Sequence, residues 1–424
     1  MLTRRNLIGS VLGAVAFRND TLNIVERLLK HSEPDPFASA LDEDFWVQIQ
    51  NAFTLDRNLV NFNNGGCCPS PRVVLEALER AQRLTNQAPS YYMWRQLEPE
   101  IENVRRRLAS LFGCDAEEVA ITRNASESLE NLLFGLELKE GDEVLTTTLD
   151  YPRMITTLKQ RERRNGIRLT QVDPPHVPKS ARELVAAFEH AITRQTRMIL
   201  MSQVSFMNGQ IFPVRQVVEL GKRLGIPVIV DGAHALAQFP FDNKELGCEF
   251  YGASLHKWLM APVGTGFLYV KKAKIPAVWS MYASTQEQSA DIRKFEEIGT
   301  HPAANHNAIA EALTFHELIG GERKAERLRA LRRRWTDKMR DLKNVVFHTN
   351  LDPAHSCGLT TVEIKGIEND KLAGWLLDKH SIFVTGIGHP NFKGIRVSPN
   401  VYTTFGEIDR FAEAMTMAAT KGIG

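Results

Sequence analysis

Short apolar runs alternate with longer amphipathic runs over most of this chain. Val119-Ala120-Ile121-Thr122, Glu143-Val144-Leu145-Thr146-Thr147, Arg168-Leu169-Thr170-Gln171-Val172, Met198-Ile199-Leu200-Met201 and Val228-Ile229-Val230-Asp231 each read as a short strand. Between them lie patterns of helical period. One runs through Ile101, Val104, Leu108 and Leu111 and stops at Gly113, and another carries Leu129, Leu132, Leu133 and Leu136 on one face. Further helices are expected near 184–192 and from Pro213 to Leu224. Strands alternating with helices imply a mostly parallel sheet covered on both faces, and ligands of such sheets sit beyond the carboxyl ends of the strands. Asn124, Tyr151, Ser205, Asp231 and Lys257 all fall just after predicted strands, so one crevice is expected to gather them.

The two ends of the chain read differently. From Asn19 to Asn58 the pattern is helical and polar, broken at Pro34 and Pro36, as in an arm leading to the body. Leu59-Val60-Asn61-Phe62 is strand-like, Asn63-Asn64-Gly65-Gly66 makes a turn, and Pro69 and Pro71 open a helix. After Pro276 an irregular polar stretch, a helix over 307–319 and a long, heavily basic helix over 322–342 lead into a small α+β domain. Its strands are expected at 345–347, 360–364, 382–384 and 394–398, covered by helices over 369–379 and 405–419. The expected division is a leader over 1–17, an arm over 18–60, a large domain over 61–305 and a small domain over 306–424.

Composition narrows the classes. A chain of 424 residues with 43% hydrophobic content can bury a substantial core. Its 52 basic and 50 acidic residues nearly cancel, which gives no reason to expect nucleic acid as a partner. Five scattered cysteines, two of them the adjacent Cys67 and Cys68, make neither a disulfide framework nor a metal-ligand spacing. His301, His306 and His316 also lack a compact ligand spacing, so no metal is expected and they read as helix-surface histidines. Thr3-Arg4-Arg5-Asn6-Leu7-Ile8 matches a twin-arginine export pattern. The apolar run from Leu7 to Phe17 behind it is too short to span a bilayer, and Ala14-Val15-Ala16 offers a cleavage pattern. The expectation is export to the periplasm without a stable membrane anchor. The alternative is a basic extension that stays in the cytoplasm.

The chemistry concentrates between Val228 and Gly266. A buried strand there ends in Asp231, and Ser254, His256 and Lys257 follow within about two dozen residues. One lysine and one strand-end aspartate are what pyridoxal 5′-phosphate asks of a protein. The amine forms a Schiff base with the cofactor aldehyde, and the carboxylate keeps the pyridine nitrogen protonated. Upstream, a strand, the small-residue turn Asn124-Ala125-Ser126 and a helix expected to start with an Asn124/Glu127 capping box make an anion site. The aromatic cluster Tyr91-Tyr92-Met93-Trp94-Arg95 reads either as a packed helix start or as a substrate-pocket wall.

Asp231-Gly232-Ala233-His234, Ser254-Leu255-His256-Lys257, Glu297-Ile298-Gly299-Thr300 and the run from Arg396 to Tyr402 fall in the order of one known family. From about Asn61 to its end the chain resembles the class V aminotransferases, which are fold-type I pyridoxal-phosphate enzymes. The resemblance implies an α/β fold: a large domain with a mostly parallel seven-stranded sheet covered by helices, plus a small C-terminal α+β domain. It implies that Lys257 carries the cofactor, that Asp231 pairs with the pyridinium and that His234 lies near the ring hydroxyl. Tyr151 would stack on the ring, while Ser254, His256 and the Asn124-Ala125-Ser126 turn would hold the phosphate. Ser205 is read either as a cofactor ligand or as a generic strand-end residue. Thr300 would reach the phosphate of a neighbouring subunit, which implies a homodimer with shared active sites. Arg396 would grip the carboxylate of an amino-acid-type substrate, with Asn64, Tyr91 and Tyr92 nearby.

The turn at 63–66 and the aromatic cluster look more like the isopenicillin N epimerase-like branch. Cysteine desulfurases of this family carry a nucleophilic cysteine on the loop before the carboxylate-binding arginine. Here that loop, 385–393, has none, which argues against desulfuration by that route. Chemistry at the α-carbon with Lys257 as base is the leading expectation, with epimerisation, transamination and lyase chemistry all open. Two further readings are an exported enzyme that modifies side chains of secreted peptides or siderophores, and a non-catalytic cofactor-binding regulator. The regulator is disfavoured because no helix-turn-helix pattern precedes Asn61.

Overall fold

The structure, a computed structural model, describes residues 35–424 together with Leu22 and Glu26. The twin-arginine pattern and much of the expected arm lie outside the described residues. The predicted strands assemble into one seven-stranded sheet. In spatial order they are Val119–Thr122, Gly266–Val270, Phe250–Ser254, Val228–Asp231, Thr196–Ser202, Glu143–Thr147 and Arg168–Val172. Gly266–Val270 pairs antiparallel with both of its neighbours, and the other pairings are parallel. The central strands are buried along their whole length, as expected where helices cover both faces. The edge strand Arg168–Val172 has only exposed and half-buried positions. Successive residues serve opposite faces: Val230 joins a core with Leu108 and Phe112, while Ile229 joins a second core with Leu129 and Leu132.

Register places Ser202 beside Asp231, Asp231 beside Gly252, and Ser254 beside Gly266, which in turn faces Thr122. The carboxyl ends of the parallel strands therefore line up along one edge, where the topology predicts a crevice.

The C-terminal sheet is antiparallel, in the order Thr385–His389, Phe392–Val397, Thr360–Ile364 and Val345–Phe347. Its core contains Trp335, Val362, Ile395 and Phe411. Val60–Asn61 pairs in parallel with Ile382–Phe383, so the expected junction of arm and large domain joins the small domain. Conversely, the helix Ile309–Ile319, expected to open the small domain, packs with the short helix Ala303–Asn307 on the helices Arg72–Gln87 and Glu98–Phe112. His306 and His316 are buried there rather than on a helix surface, because the two helices that carry them pack against the large domain.

The basic helix Gly321–Met339 turns part of its charge inward. Arg327 is buried and donates to the carbonyls of Ala40 (3.1 Å) and Thr403 (2.9 Å), and Arg332 donates to the Leu351 carbonyl (2.8 Å). These guanidinium groups satisfy carbonyl oxygens that would otherwise be buried without donors. Among the described residues no helix is long and apolar enough to cross a membrane.

The small domain rests on the loop after the strand Thr196–Ser202. Arg396 donates to the Phe206 carbonyl (2.9 Å), Thr361 to Met207 (2.5 Å) and Thr349 to Asn208 (2.6 Å). Gly209 closes this loop with φ +74°, and a Cβ there would run into the Leu359 carbonyl.

Candidate active site

A cavity of about 450 Å³ opens where the carboxyl edge of the large sheet meets the small domain. It brings together Asn124, Ala125, Ser126, Tyr151, Asp231 and His234. Ser254, His256, Lys257 and Arg396 also line it, with Ser202 and Thr385.

Asp231 ends the strand Val228–Asp231 and accepts from the Ala233 N–H at 2.9 Å. Burial pushes its carboxyl up to about 6, against the opposing pull of that hydrogen bond and of Lys257. Lys257 lies in the turn after the strand Phe250–Ser254. Desolvation at the cavity floor lowers its amine to about 8, with Asp231 pulling the other way and Arg396 adding to the drop. The Lys257 Nζ is 3.1 Å from His234 Nε2 and 5.9 Å from the centre of the Tyr151 ring. Burial, then the charges of Lys257 and Arg396, hold His234 well below the ordinary imidazole value, so its ring is neutral. Its Nδ1 is buried without a partner among the described residues.

The phosphate-sized end of the cavity is a helix start. Asn124 caps the helix Ala125–Gly135 by accepting from the Glu127 N–H (2.9 Å), and the Ala125 N–H donates to Ser254 Oγ (3.0 Å). The capping box is only half formed. The Glu127 carboxylate takes the Arg123 N–H (2.6 Å) and guanidinium instead of reaching back to Asn124. First-turn N–H groups with no intrahelical acceptor face this end, where a helix dipole favours an anion. Gly266 makes the close approach feasible, since a Cβ there would sit 2.5 Å from the Asn124 nitrogen. His256 lies alongside, its Nδ1 3.2 Å from the Thr265 carbonyl. The small-residue turn, the orphaned His234 nitrogen and the adjacent amine and carboxylate form a donor set that fits pyridoxal phosphate.

At the opposite end Arg396 is buried, and desolvation lowers its guanidinium to about 10. It donates to the Phe206 carbonyl and, at 2.7 Å, to Asn63 Oδ1. Its Nε has no partner among the described residues. Phe206 also packs edge-on against Tyr151, with ring centres 5.3 Å apart.

Several expected residues lie elsewhere. Ser205 is fully buried outside the cavity, donating to the Leu149 carbonyl (3.3 Å) and accepting from the Met207 N–H (3.2 Å). Its hydroxyl shapes the loop that seats the small domain. Asn64 is also fully buried; it donates to the carbonyls of Asn61 (3.0 Å) and Ser398 (2.9 Å) and accepts from the Tyr402 hydroxyl. That leaves its neighbour Asn63 on the arginine, a one-residue difference the Asn-Asn repeat could not disclose. Tyr91 and Tyr92 pack edge-on with ring centres 5.2 Å apart, and Tyr91 is 56% exposed; neither lines the cavity of this chain. Thr300 is exposed at a separate hollow with Trp94, Arg105 and His306. Reading strand ends alone also missed Phe206 and the segment Thr385–Ile387, which line the cavity from the two domains.

Comparison with known proteins agrees with this architecture. The chain is 28% identical over 395 residues to isopenicillin N epimerase from Streptomyces clavuligerus, covering 87% of this chain and 97% of that protein. It is 27% identical over 392 residues to a probable cysteine desulfurase from Mycolicibacterium paratuberculosis, covering 86% and 56% of the respective chains. The solved apo cysteine desulfurase of Thermococcus onnurineus shares the fold, with a TM-score of 0.76 at 20% identity over 88% of this chain and 97% of that one. Relatives named as epimerases and as desulfurases both appear, so likeness alone does not separate these activities. Residues 60–411 match the family model for class V aminotransferases. The chain belongs to that family and is a pyridoxal 5′-phosphate enzyme.

Proposed function

We propose that this enzyme acts at the α-carbon of an amino acid or an amino-acid-derived substrate, in the manner of the isopenicillin N epimerase-like branch. The observation that carries the reading is one cavity holding a depressed lysine amine, a buried carboxylate and an arginine that has no carboxylate partner among the described residues. Pyridoxal phosphate, held by Lys257 with its phosphate against Asn124, Ala125, Ser126, Ser254 and His256, supplies an electron sink. Asp231 would face the ring nitrogen, whose positive charge offsets the cost of keeping a buried carboxylate ionised. Tyr151 would lie against the ring, and Arg396 would hold the substrate carboxylate. Lys257 Nζ, with its amine lowered to about 8, is partly neutral at physiological pH and takes the α-proton. The neutral His234 Nε2 at 3.1 Å orients that amine.

Epimerisation, transamination and elimination all begin with this proton transfer. Desulfuration through a loop cysteine is not proposed, because 385–393 contains none. Thr300 is exposed and is assigned to a second subunit's site in a homodimer.

The test is exchange of the α-proton in deuterated water across a panel of amino acids, followed by mass spectrometry and chiral chromatography. Borohydride should fix the cofactor on the peptide containing Lys257. Exchange of no amino acid, or cofactor still fixed in Lys257→Ala, would overturn the reading.

A further inference from the structure

The segment from Phe62 to Gly66 is tied along the end of the strand Phe392–Val397. Ser398 N–H and Oγ both donate to the Phe62 carbonyl (2.8 and 3.0 Å), and Ser398 Oγ accepts from the Gly65 N–H (2.9 Å). Asn64 donates to the Ser398 carbonyl through its backbone (3.2 Å) and its side chain (2.9 Å). Asn63 is held in the middle: its N–H donates to Asn61 Oδ1 (2.9 Å), and its carbonyl accepts from the Gly66 N–H (2.9 Å). This splint sets Asn63 opposite Ser398 and holds its side chain on Arg396, two residues back along the strand.

The two terminal nitrogens of Arg396 are then held from two sides. Nη2 donates to Asn63 Oδ1 at 2.7 Å and Nη1 to the Phe206 carbonyl at 2.9 Å. Both acceptors are neutral oxygens. A guanidinium carries five N–H donors in one plane, so three remain uncommitted among the described residues, the buried Nε–H included. A buried cation whose hydrogen bonds fix its plane but leave its charge uncompensated is costly until an anion arrives.

We propose that Asn63 is a positioning residue that sets substrate class: it fixes the plane of Arg396 without neutralising it, so that the anchor selects substrates bearing a carboxylate beside the reacting amine. This rests on the assignment of Arg396 to the substrate carboxylate. An aspartate at 63 would occupy nearly the same space and accept the same hydrogen bond. It would also supply the anion that the substrate otherwise brings.

The experiment compares binding of L-alanine and L-phenylalanine with binding of ethylamine and 2-phenylethylamine to the cofactor-loaded protein. Affinity is read by calorimetry and by the change in cofactor absorbance, with no turnover required. Asn63→Asp should weaken the two amino acids about 100-fold, the order expected for losing charge-assisted hydrogen bonds, and leave the two amines within about 2-fold. Asn63→Ala keeps the charge but frees the plane. It should weaken the amino acids about 10-fold, and it carries the same test should the aspartate variant not fold. Equal loss of acids and amines, or no loss of either, would overturn the role of Asn63. Arg396→Gln separates the two levels. If it leaves the preference for amino acids intact, the carboxylate-anchor assignment itself falls. If it abolishes the preference while both Asn63 variants retain it, only the inference about Asn63 falls.

Discussion

Behind the large-sheet wall of the cavity the strand ends are bonded to one another through buried polar groups, whereas on the small-domain wall Arg396 keeps uncommitted donors among the described residues. Asp150 shows the first condition. One carboxylate oxygen accepts from the Ser202 N–H and hydroxyl (both 2.7 Å), and the other from Thr146 Oγ1 (2.7 Å) and from the Thr147 N–H and hydroxyl (both 2.8 Å). Two strand ends are thereby locked together immediately before Tyr151. The Ala125–Ser254 bond locks the anion turn to a third strand in the same way. The small-domain wall is located instead by contacts across a domain boundary, through Phe206, Met207 and Asn208. The difference teaches that the cofactor side is preformed by the sheet, while the substrate side depends on how the small domain is seated.

Breaking the first wall should have the largest effect. Asp150→Ala removes the acceptor for five hydrogen bonds and strands the buried N–H groups of Thr147 and Ser202. A loss of about 4 kcal/mol of unfolding free energy is expected, measured by urea denaturation of the cofactor-loaded protein. A loss below about 1 kcal/mol would mean that the strand ends do not need this lock. Breaking the second wall should cost less but act selectively. Gly209→Ala places a Cβ at φ +74° against the Leu359 carbonyl, a strained position beside the seat of the small domain. About 2 kcal/mol of destabilisation is expected. Amino-acid affinity should fall while cofactor retention stays unchanged. If both fall together, the two walls are not separately built.

The same contrast explains what could be read from the chain. Asp231, Lys257 and the turn at Asn124 are legible because strand termini and helix starts leave local signatures, and a doubly wound sheet directs them to one edge. Ser205 satisfies the same rule yet turns into the domain seat, because a strand-end position does not specify which way the following loop bends. The strand Thr385–His389 reads as a loop because Gly386 and Gly388 interrupt its apolar alternation, although its first three residues line the cavity. Asn63 and Asn64 cannot be told apart without the register between Phe62 and Ser398, a contact spanning more than three hundred residues. The buried roles of Arg327 and Arg332 within the basic helix are not legible for a related reason: a carbonyl in need of a donor is invisible in a sequence.

The smallest expected effect lies where the tip of the small-domain hairpin meets the large domain. Phe392 packs against three imidazoles: His176 of the large domain at 4.8 Å, His389 at 4.8 Å and His348 at 5.2 Å between ring centres. Asp173 stands 3.7 Å from His389, and Glu363 accepts from His348 at 2.8 Å. Burial, with the neighbouring His348 and His389, lowers the pKa of His176 against the opposing pull of Asp173. Burial likewise lowers that of His389. A histidine that binds its proton less readily when folded stabilises the fold above its unfolded pKa of about 6.5. That contribution is lost as pH falls through the lowered folded value. Acid should therefore loosen the hairpin that carries Thr385–Ile387 and Arg396. Buried His306 and His316, lowered to about 4 and about 3, give the whole protein the same sign, so the wild type alone cannot isolate the contact. His176→Phe keeps an aromatic ring on Phe392 but removes the titrating group. Its stability should fall less than that of the wild type between pH 7.5 and pH 5.5, by about 0.5 kcal/mol, measured by urea denaturation at both values. An identical pH slope in the two proteins would show that His176 takes up its proton equally in the folded and unfolded states, so that no proton uptake is linked to the seating of the small domain.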